Sequence, residues 1–306
     1  MHYPAPVRTA WQLLRETVES WSADLAPRMA AALAYYTTFS VGPLLLISIA
    51  VAGLVFNPDT ARQEILSQVG GLIGNQGAEA VATVVEHAAR DQSGSILATV
   101  FGALALLFGA SGVFGELQTS LNTIFKVEKK KGRGILGYLK DRFFSFALVV
   151  GLAFLLLVSL VVSTALQAFG TVVAGWVGSA FLIKFSYDVL SFGVLAVLFG
   201  LMFKVVPDAR LRWRDVLLGG ALTAALFTIG KMLIGLYLGR SGVAGKYGAA
   251  GSLAVFLIWI YYSAQILLLG AEFTRVWAGR HGRPAVPDKD AQRVERRKEV
   301  TTSASP

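Results

Sequence analysis

Ionisable side chains lie inside two long apolar runs of this chain, where a charge is costly. Lys184 and Asp188 are four residues apart in one run, and Lys231 lies in the next. Groups of this kind at membrane depth usually face a cavity or a partner. One carboxylate between two ammonium groups leaves a positive charge for a substrate anion or lipid phosphate to balance. The pattern favours anion binding, and the hypothetical substrate-binding set is Lys184, Asp188, Lys231, Ser159, Ser163 and Gln167.

A second polar group is predicted near the opposite ends of the runs. Glu272 follows Gly270-Ala271, and helix rise brings Glu116 to a similar depth. We expect Glu272 to be at least partly buried and paired with Arg28, Arg142, Arg275 or nearby hydroxyls, because an isolated buried carboxylate tends to protonate. This inner polar cluster comprises Tyr35, Tyr36, Ser40, Glu116, Gln118, Gln265 and Glu272. The two groups fit either a polar path broken near mid-membrane or hydrogen-bonded clasps between helices.

Residues for covalent or metal-assisted catalysis are sparse. The chain has no cysteine, and its three histidines, His2, His87 and His281, have no ligand spacing. It also has no GxxxxGK[ST] phosphate-binding loop. We therefore expect no enzyme activity, catalytic residue, metal site or cofactor. The basic runs beginning at Lys129 and Arg296 are more typical of anionic-lipid contact than of nucleic-acid binding.

The composition indicates a polytopic membrane protein. Of 306 residues, 55% are hydrophobic and 15% charged, and the mean hydropathy is +0.59; a soluble domain carries about 25% charged residues. The sequence predicts an all-α fold with six transmembrane helices in a single membrane domain, residues 1–280. The spans are expected near residues 29–56, 95–115, 143–169, 178–203, 216–238 and 246–278.

Extramembrane elements complete the predicted fold. Residues 7–21 have apolar side chains at helical spacing and predict an amphipathic helix on the inner surface. Residues 60–93 predict an external helical hairpin between spans 1 and 2. The charged tail, residues 281–306, is predicted to be disordered. Trp259, Tyr261 and Tyr262 lie mid-span, which indicates that they face protein.

Charge distribution predicts the orientation. The net charge is +9, and the termini with the loops on their side hold twenty-two Lys and Arg, against four in the opposite loops. By the positive-inside rule both termini are cytoplasmic. Anionic headgroups at the basic loops are the expected partners, and the sequence is also compatible with a homo-oligomer.

Four stretches resemble the YihY/BrkB family of bacterial inner-membrane proteins. They include Ala34-Tyr35-Tyr36 in MAAALAYYTTFSVGPLLL, FGASGVFGELQTSLNTIF, the VPDARLRWRDVLLGG stretch, and Tyr247-Gly248-Ala249 with Gly270-Ala271-Glu272 in the last span. The resemblance covers roughly residues 10–280. It implies six transmembrane helices and an inner-membrane location. Family members have carried the labels ribonuclease BN and serum-resistance factor, and the family brings no agreed catalytic residues.

Two functions remain open at this point. The first is a transporter or lipid translocator with an outward polar pocket for an anionic or amphiphilic substrate. The second is a non-transporting envelope protein that acts as a scaffold through partners. A lateral opening toward lipid favours the first, and a closed, dry bundle favours the second.

Overall fold

The computed structural model describes residues 5–53, 112–130, 180–241 and 243–294, with positions 57, 59–60, 62–63, 65–67 and 82. Side chains are described mainly over 10–40, 112–130, 191–234 and 254–294. The third predicted span and nearly all of the predicted second span and external hairpin lie outside these residues. The described part is mostly helical.

Six helices and four short strands make up most of the described chain, and separate described positions between residues 59 and 82 are also helical. The helices are α1 (Ala5–Ala23), α2 (Ala26–Gly53), α3 (residues 112–124), α4 (Ala180–Val205), α5 (Trp213–Ser241) and α6 (Val243–Arg280). The strands are β1 (Val127–Lys129), β2 (Ala209–Arg210), β3 (Val286–Pro287) and β4 (Ala291–Arg293). Helices α2, α4, α5 and α6 coincide with the first, fourth, fifth and sixth predicted spans, and α1 with the predicted amphipathic helix.

Within the described residues, two helical segments are long and apolar enough to cross a membrane, by length and composition. They are Trp213–Ile234 in α5 and Ala254–Arg280 in α6. Helix α5 packs against α4 on one side and α6 on the other, while α6 also contacts α2 and α1. The shared core includes Leu121, Phe203, Val216 and Leu268.

Helices α5 and α6 interlock through two Gly-x-x-x-Thr pairs. The Thr274 side chain occupies the space of an absent Cβ at Gly219, and Thr223 does the same at Gly270. Each threonine hydroxyl donates a 2.7 Å hydrogen bond to the glycine carbonyl four residues earlier on its own helix. Small residues let the backbones approach closely, and the hydroxyls are satisfied without crossing the interface.

The segments that follow or connect these helices meet at one end of the molecule. We call this end, formed by residues 24–25, 125–130, 206–212 and 281–294, the basic end. Pro207 closes α4 because the residue before a proline disfavours helix, and Asp215 lies in the first turn of α5, where the helix dipole favours a carboxylate. Helix α6 ends at Arg280, and Gly282, two residues later, has a left-handed φ of 67°. The Arg283 amide donates back to the Ala278 carbonyl at 2.9 Å.

Residues 281–294, which we call the tail strap, run across the basic end. Strand β3 pairs antiparallel with β2, and β4 pairs antiparallel with β1. The prediction of disorder from residue 281 is therefore wrong as far as residue 294, because backbone pairing with two loops orders a segment too polar to fold alone. Residues 295–306 lie outside the described residues.

An exposed carboxylate links the strap to β2. Asp288 accepts hydrogen bonds from Nε and Nη2 of Arg210 at 3.0 and 2.7 Å. The Lys289 backbone N–H and then Arg210 lower the pKa of Asp288 below its ordinary value. A lowered pKa contributes stability above the ordinary carboxyl pKa, and that stability is lost as pH falls through the folded value.

We expect acidification to loosen the strap. A spin label can be attached specifically at Val294→Cys, because the chain has no other cysteine. This label should gain mobility as pH falls through the lowered pKa of Asp288. With Asp288→Asn the label should respond less over the same range. An identical response in both proteins would contradict this role for Asp288.

Candidate functional site

Two short turns meet at the basic end through an ion pair. Asp24 lies between α1 and α2, and Lys126 follows α3. The Lys126 ammonium contacts both Asp24 carboxylate oxygens. Leu25, next to Asp24, has a φ of 56° and Lys126 a φ of 59°. Such left-handed values cost non-glycine residues roughly 1 kcal/mol or more, so the ion pair fastens two strained turns.

Glu272 of α6 forms a second ion pair, with Arg275 on the same helix. Its side chain is 0% exposed, and Oε2 accepts hydrogen bonds from Nε and Nη2 of Arg275 at 3.0 and 2.9 Å. Oε1 is buried and accepts no hydrogen bond from the described part of the protein. We call the two ion pairs, Asp24–Lys126 and Glu272–Arg275, the carboxylate clasp. The predicted burial of Glu272 and its pairing with Arg275 are confirmed.

A second network fastens α3 to the loop between α4 and α5. The Asn122 amide nitrogen donates to Asp208 Oδ2 at 2.7 Å, and the Asp208 backbone N–H donates to the Asn122 amide oxygen at 2.8 Å. Gln118 lies one turn earlier, donates to Asp208 Oδ1 at 3.4 Å and accepts from Lys129 Nζ at 3.0 Å. This reciprocal pairing fixes the loop against α3.

A buried ion pair fastens the tail strap to α5. Asp215 is 1% exposed, and its Oδ1 lies 3.1 Å from Nη2 of Arg283. Neither Asp215 oxygen accepts a well-aligned hydrogen bond from the described part of the chain, so the attraction between Asp215 and Arg283 is mainly that of opposite charges. Asp215 therefore depends on Arg283 and on the α5 dipole for its stabilisation.

The other predicted inner residues lie in varied environments. Tyr35 and Tyr36 are exposed, with Tyr36 packed beside Gly112, whereas Ser40 is buried. Glu116 is half-buried, and Gln265 has a buried side-chain oxygen that accepts no hydrogen bond from the described residues. Among the described residues, one polar network lies around Glu272 and another around Gln118, and the single inner cluster stays a prediction.

Sequence reasoning missed Asp24, Lys126, Asn122 and Asp208. Polar residues at the end of a helix or beside a proline are usually capping residues in solvent, so their types gave no signal. Their partners are 86 to 102 residues away in the chain. The α3 terminus, still helical but polar in pattern through residue 122, was the one available hint.

Lys231 lies in the half of the molecule far from the basic end. It is exposed on α5, eighteen residues after Trp213, which is about 27 Å along the helix. Its neighbours Ile229, Met232 and Leu233 are also exposed. The Tyr262 ring fills the space over Gly230, the residue before Lys231. Trp259 is buried and Tyr262 packs over Gly230, so the prediction that these two side chains face protein is confirmed. Tyr261 is exposed, so the same prediction is wrong for Tyr261.

The register of α4 against α5 relates Lys231 to position 188. A Cβ on Gly220 would lie 2.7 Å from the Gly200 nitrogen, so the helices approach closely there. We count from this contact in the direction away from the basic end. Residue 188 is twelve positions from Gly200 on α4, and Lys231 is eleven positions from Gly220 on α5. Both lie about 17 Å beyond it. Only the backbone of Lys184 and Asp188 is described, and Ser159, Ser163 and Gln167 lie outside the described residues.

Among the described residues, no three His, Cys, Asp or Glu side chains are grouped so as to hold a metal ion. The arrangement instead offers a buried, arginine-paired carboxylate at the basic end and an exposed ammonium among apolar side chains in the far half.

Comparisons with known proteins identify the relatives of this chain. The profile described as Virulence factor BrkB matches residues 17–295. A UPF0761 membrane protein of Alkalilimnicola ehrlichii is 30% identical over 291 residues, covering 90% of this chain and 61% of the relative. A UPF0761 membrane protein of Psychrobacter is 27% identical over 271 residues, and this alignment covers 87% of this chain and 48% of the relative.

A shorter relative aligns over nearly its whole length. The putative ribonuclease-like protein YfkH of Bacillus subtilis is 22% identical over 282 residues, covering 90% of this chain and 98% of the relative. No solved structure matches. The chain spans about half to three fifths of the two UPF0761 relatives. With a profile match over most of its length, this chain belongs to the BrkB family and is a membrane protein.

Proposed function

We propose that this protein translocates an anionic or amphiphilic substrate, of which a lipid with an anionic headgroup is the best example. It would cross the bacterial inner membrane six times with both termini in the cytoplasm. The outward pocket would be formed by Lys184, Asp188, Lys231, Ser159, Ser163 and Gln167. The observation that carries the proposal is the exposed Lys231 within an apolar segment.

The surroundings of Lys231 suit an amphiphile. An ammonium at membrane depth is costly unless an anion, a cavity or water stabilises it. Exposed Met232 and Leu233 follow it directly, so a phosphate on Lys231 would have apolar surface beside it for acyl chains. A soluble anion would use the charge and leave this apolar surface unused.

The helix register supports Asp188 as the counter-charge. Positions 188 and 231 lie at the same level of α4 and α5, and Lys184 is one turn further from the basic end on α4. We propose that Asp188 pairs with one lysine and leaves the other for the substrate. A protonatable carboxylate in this position would also suit ion coupling.

A scaffold function is the second candidate, and the basic end favours it. The carboxylate clasp, the Asn122–Asp208 pair and the tail strap all fasten that end, which suits a rigid anchor for partners. Lys231 would then extend its ammonium to the far membrane surface. Ribonuclease activity, which the name of the Bacillus relative raises, is not part of the proposal because no catalytic grouping in the sequence suggests it.

Lipid retention tests the translocator. Protein in nanodiscs of mixed phosphatidylglycerol and phosphatidylcholine should retain phosphatidylglycerol after purification. Lys231→Met should lower this retention about tenfold or more, because a hydrogen bond to a charged group contributes about 1.5–3 kcal/mol. The matched control is Lys289→Met, which removes an exposed lysine from the tail strap.

Transport itself needs a second readout. In proteoliposomes, movement of fluorescent phosphatidylglycerol between leaflets should be slower for Lys231→Met and Asp188→Asn than for the parent or Lys289→Met. If the parent moves no lipid and all variants retain lipid equally, the scaffold function replaces the translocator.

A further inference from the structure

Cationic side chains surround the start of α5. Arg212 and Arg214 lie on either side of Trp213 in the chain, and both are exposed. Lys204 comes from the last turn of α4, and its ammonium lies 5.7 Å from the centroid of the Trp213 ring. Lys204 Nζ also donates to the Leu211 carbonyl. The carbonyl and the cation–π contact together hold this ammonium beside Trp213.

The carboxylates around this turn already have partners. Asp208 is bound by α3 and Asp215 is paired with the tail strap, while Asp288 of the strap accepts hydrogen bonds from strand β2. The side chains of Arg212 and Arg214 have no hydrogen-bonding or ion-pairing partner among the described residues. The turn therefore carries surplus positive charge, which an anionic headgroup would complement.

The same surface continues into an apolar face. The segment of α5 that is long and apolar enough to cross a membrane begins at Trp213, which is itself exposed. Leu217 and Leu218 are also exposed. They lie one helical turn beyond Trp213 and Arg214, about 6 Å further along α5. Tryptophan is enriched at the level of lipid headgroups, so this boundary between cations and apolar side chains suits the edge of a leaflet.

We propose that this surface binds a phospholipid with a net negative charge, from the leaflet at the basic end. Its phosphate accepts hydrogen bonds from the cations of the turn, and its acyl chains cover the apolar side chains of α5. We call these residues the α5 lipid site: Lys204, Arg212, Trp213, Arg214, Leu217 and Leu218. The site lies about 27 Å along α5 from Lys231, so it is separate from the proposed outward pocket.

The charge and the apolar face together select the lipid class. Phosphatidylcholine also carries a phosphate, but its choline group would bring a positive charge beside three cations, which repel it. Phosphatidylglycerol has an uncharged glycerol group and leaves the phosphate charge for the cations. A soluble anion such as inorganic phosphate would meet the cations but leave Leu217 and Leu218 uncovered.

Fluorescence quenching beside α5 tests the site. The chain has no cysteine, so a fluorophore on Leu218→Cys reports on lipid at this position alone. In nanodiscs, phosphatidylglycerol with a nitroxide near the headgroup end of an acyl chain should quench it at about a tenfold lower mole fraction than equally labelled phosphatidylcholine. With Arg212→Gln and Arg214→Gln together, the two lipids should quench about equally, because each basic residue near an anionic surface contributes about fivefold.

A neighbouring arginine provides the matched control. Arg210→Gln removes the same charge from the same turn, but Arg210 is paired with Asp288, so the preference should stay within about twofold of the parent. The substituted arginines are exposed, and thermal unfolding near the parent Tm should show that the fold is intact.

Three results would overturn the proposal. They are equal quenching by the two lipids in the parent, an equal loss of preference in Arg210→Gln and the double variant, and reversal of quenching by inorganic phosphate but not by sodium chloride at the same ionic strength. The last result would assign the cations to a soluble anion. Since the readout involves neither Lys231 nor lipid movement, a failed transport test would leave the α5 lipid site unaffected.

Discussion

Replacing Gly220 by alanine should separate α4 from α5 and destabilise the protein by about 3 kcal/mol or more, the upper end of overpacking costs. The added Cβ would lie 2.7 Å from the nitrogen and 3.0 Å from the Cα of Gly200, and closer still to the Ala196 carbonyl oxygen. These are backbone atoms of a helix, so no side-chain rotation relieves the contact. Denaturant unfolding in detergent, followed by tryptophan fluorescence, measures the loss.

Two controls isolate the cause. A methyl group on Gly193 of α4 would have nothing within 4 Å, so Gly193→Ala should be neutral or stabilise by up to about 1 kcal/mol through helix propensity. Gly270→Ala meets the Thr223 side chain instead, and Thr223→Ala should recover part of its loss. If Gly220→Ala unfolds at the same denaturant concentration as Gly193→Ala, α4 and α5 do not approach each other closely at Gly220.

Replacing Arg283 by methionine should have the second large effect. It leaves Asp215, 1% exposed, without its cation, and breaking one side of a buried ion pair costs about 3–5 kcal/mol. Since the α5 dipole also stabilises Asp215, we expect the lower part of this range. Thermal and denaturant unfolding of the purified protein give the value.

An exposed pair on the same strap provides the control. Arg210 and Asp288 have side chains 58% and 52% exposed, so Arg210→Met should cost less than about 1 kcal/mol. Adding Asp215→Asn to Arg283→Met should recover much of the stability because an amide is cheaper to bury than an unpaired carboxylate. Equal losses for Arg283→Met and Arg210→Met would show that Asp215 does not depend on its partner.

Apolar runs predicted the helices well because burial of long hydrophobic segments requires internally hydrogen-bonded backbone. The Glu272–Arg275 pair could also be predicted from the sequence, since residues three apart on a helix lie on one face. In contrast, polar residues 35–38 and 40 encircle α2. Each successive residue turns about 100°, so the run alone does not distinguish buried Ser40 from exposed Tyr35.

The strands and the distant polar pairs depended on tertiary contacts. Two or three residues of β3 or β4 carry too little pattern to predict pairing, and the charge of residues 281–294 resembles a solvated tail. Asn122 and Asp208 find each other only after α3 and α4 have packed. Local sequence therefore specifies the helices, while the basic end is specified by how they come together.

The tail strap also sets an order of events during synthesis. Domains form from the N-terminus as the ribosome adds residues, yet β1 receives its partner β4 only when Ala291–Arg293 has been made. Glu16 likewise waits for Arg280, 264 residues later. A nascent chain therefore carries the loops around β1 and β2 unpaired until residues 286–293 have been made. Chains truncated before residue 286 would keep their helices but present these open strand edges to chaperones and proteases.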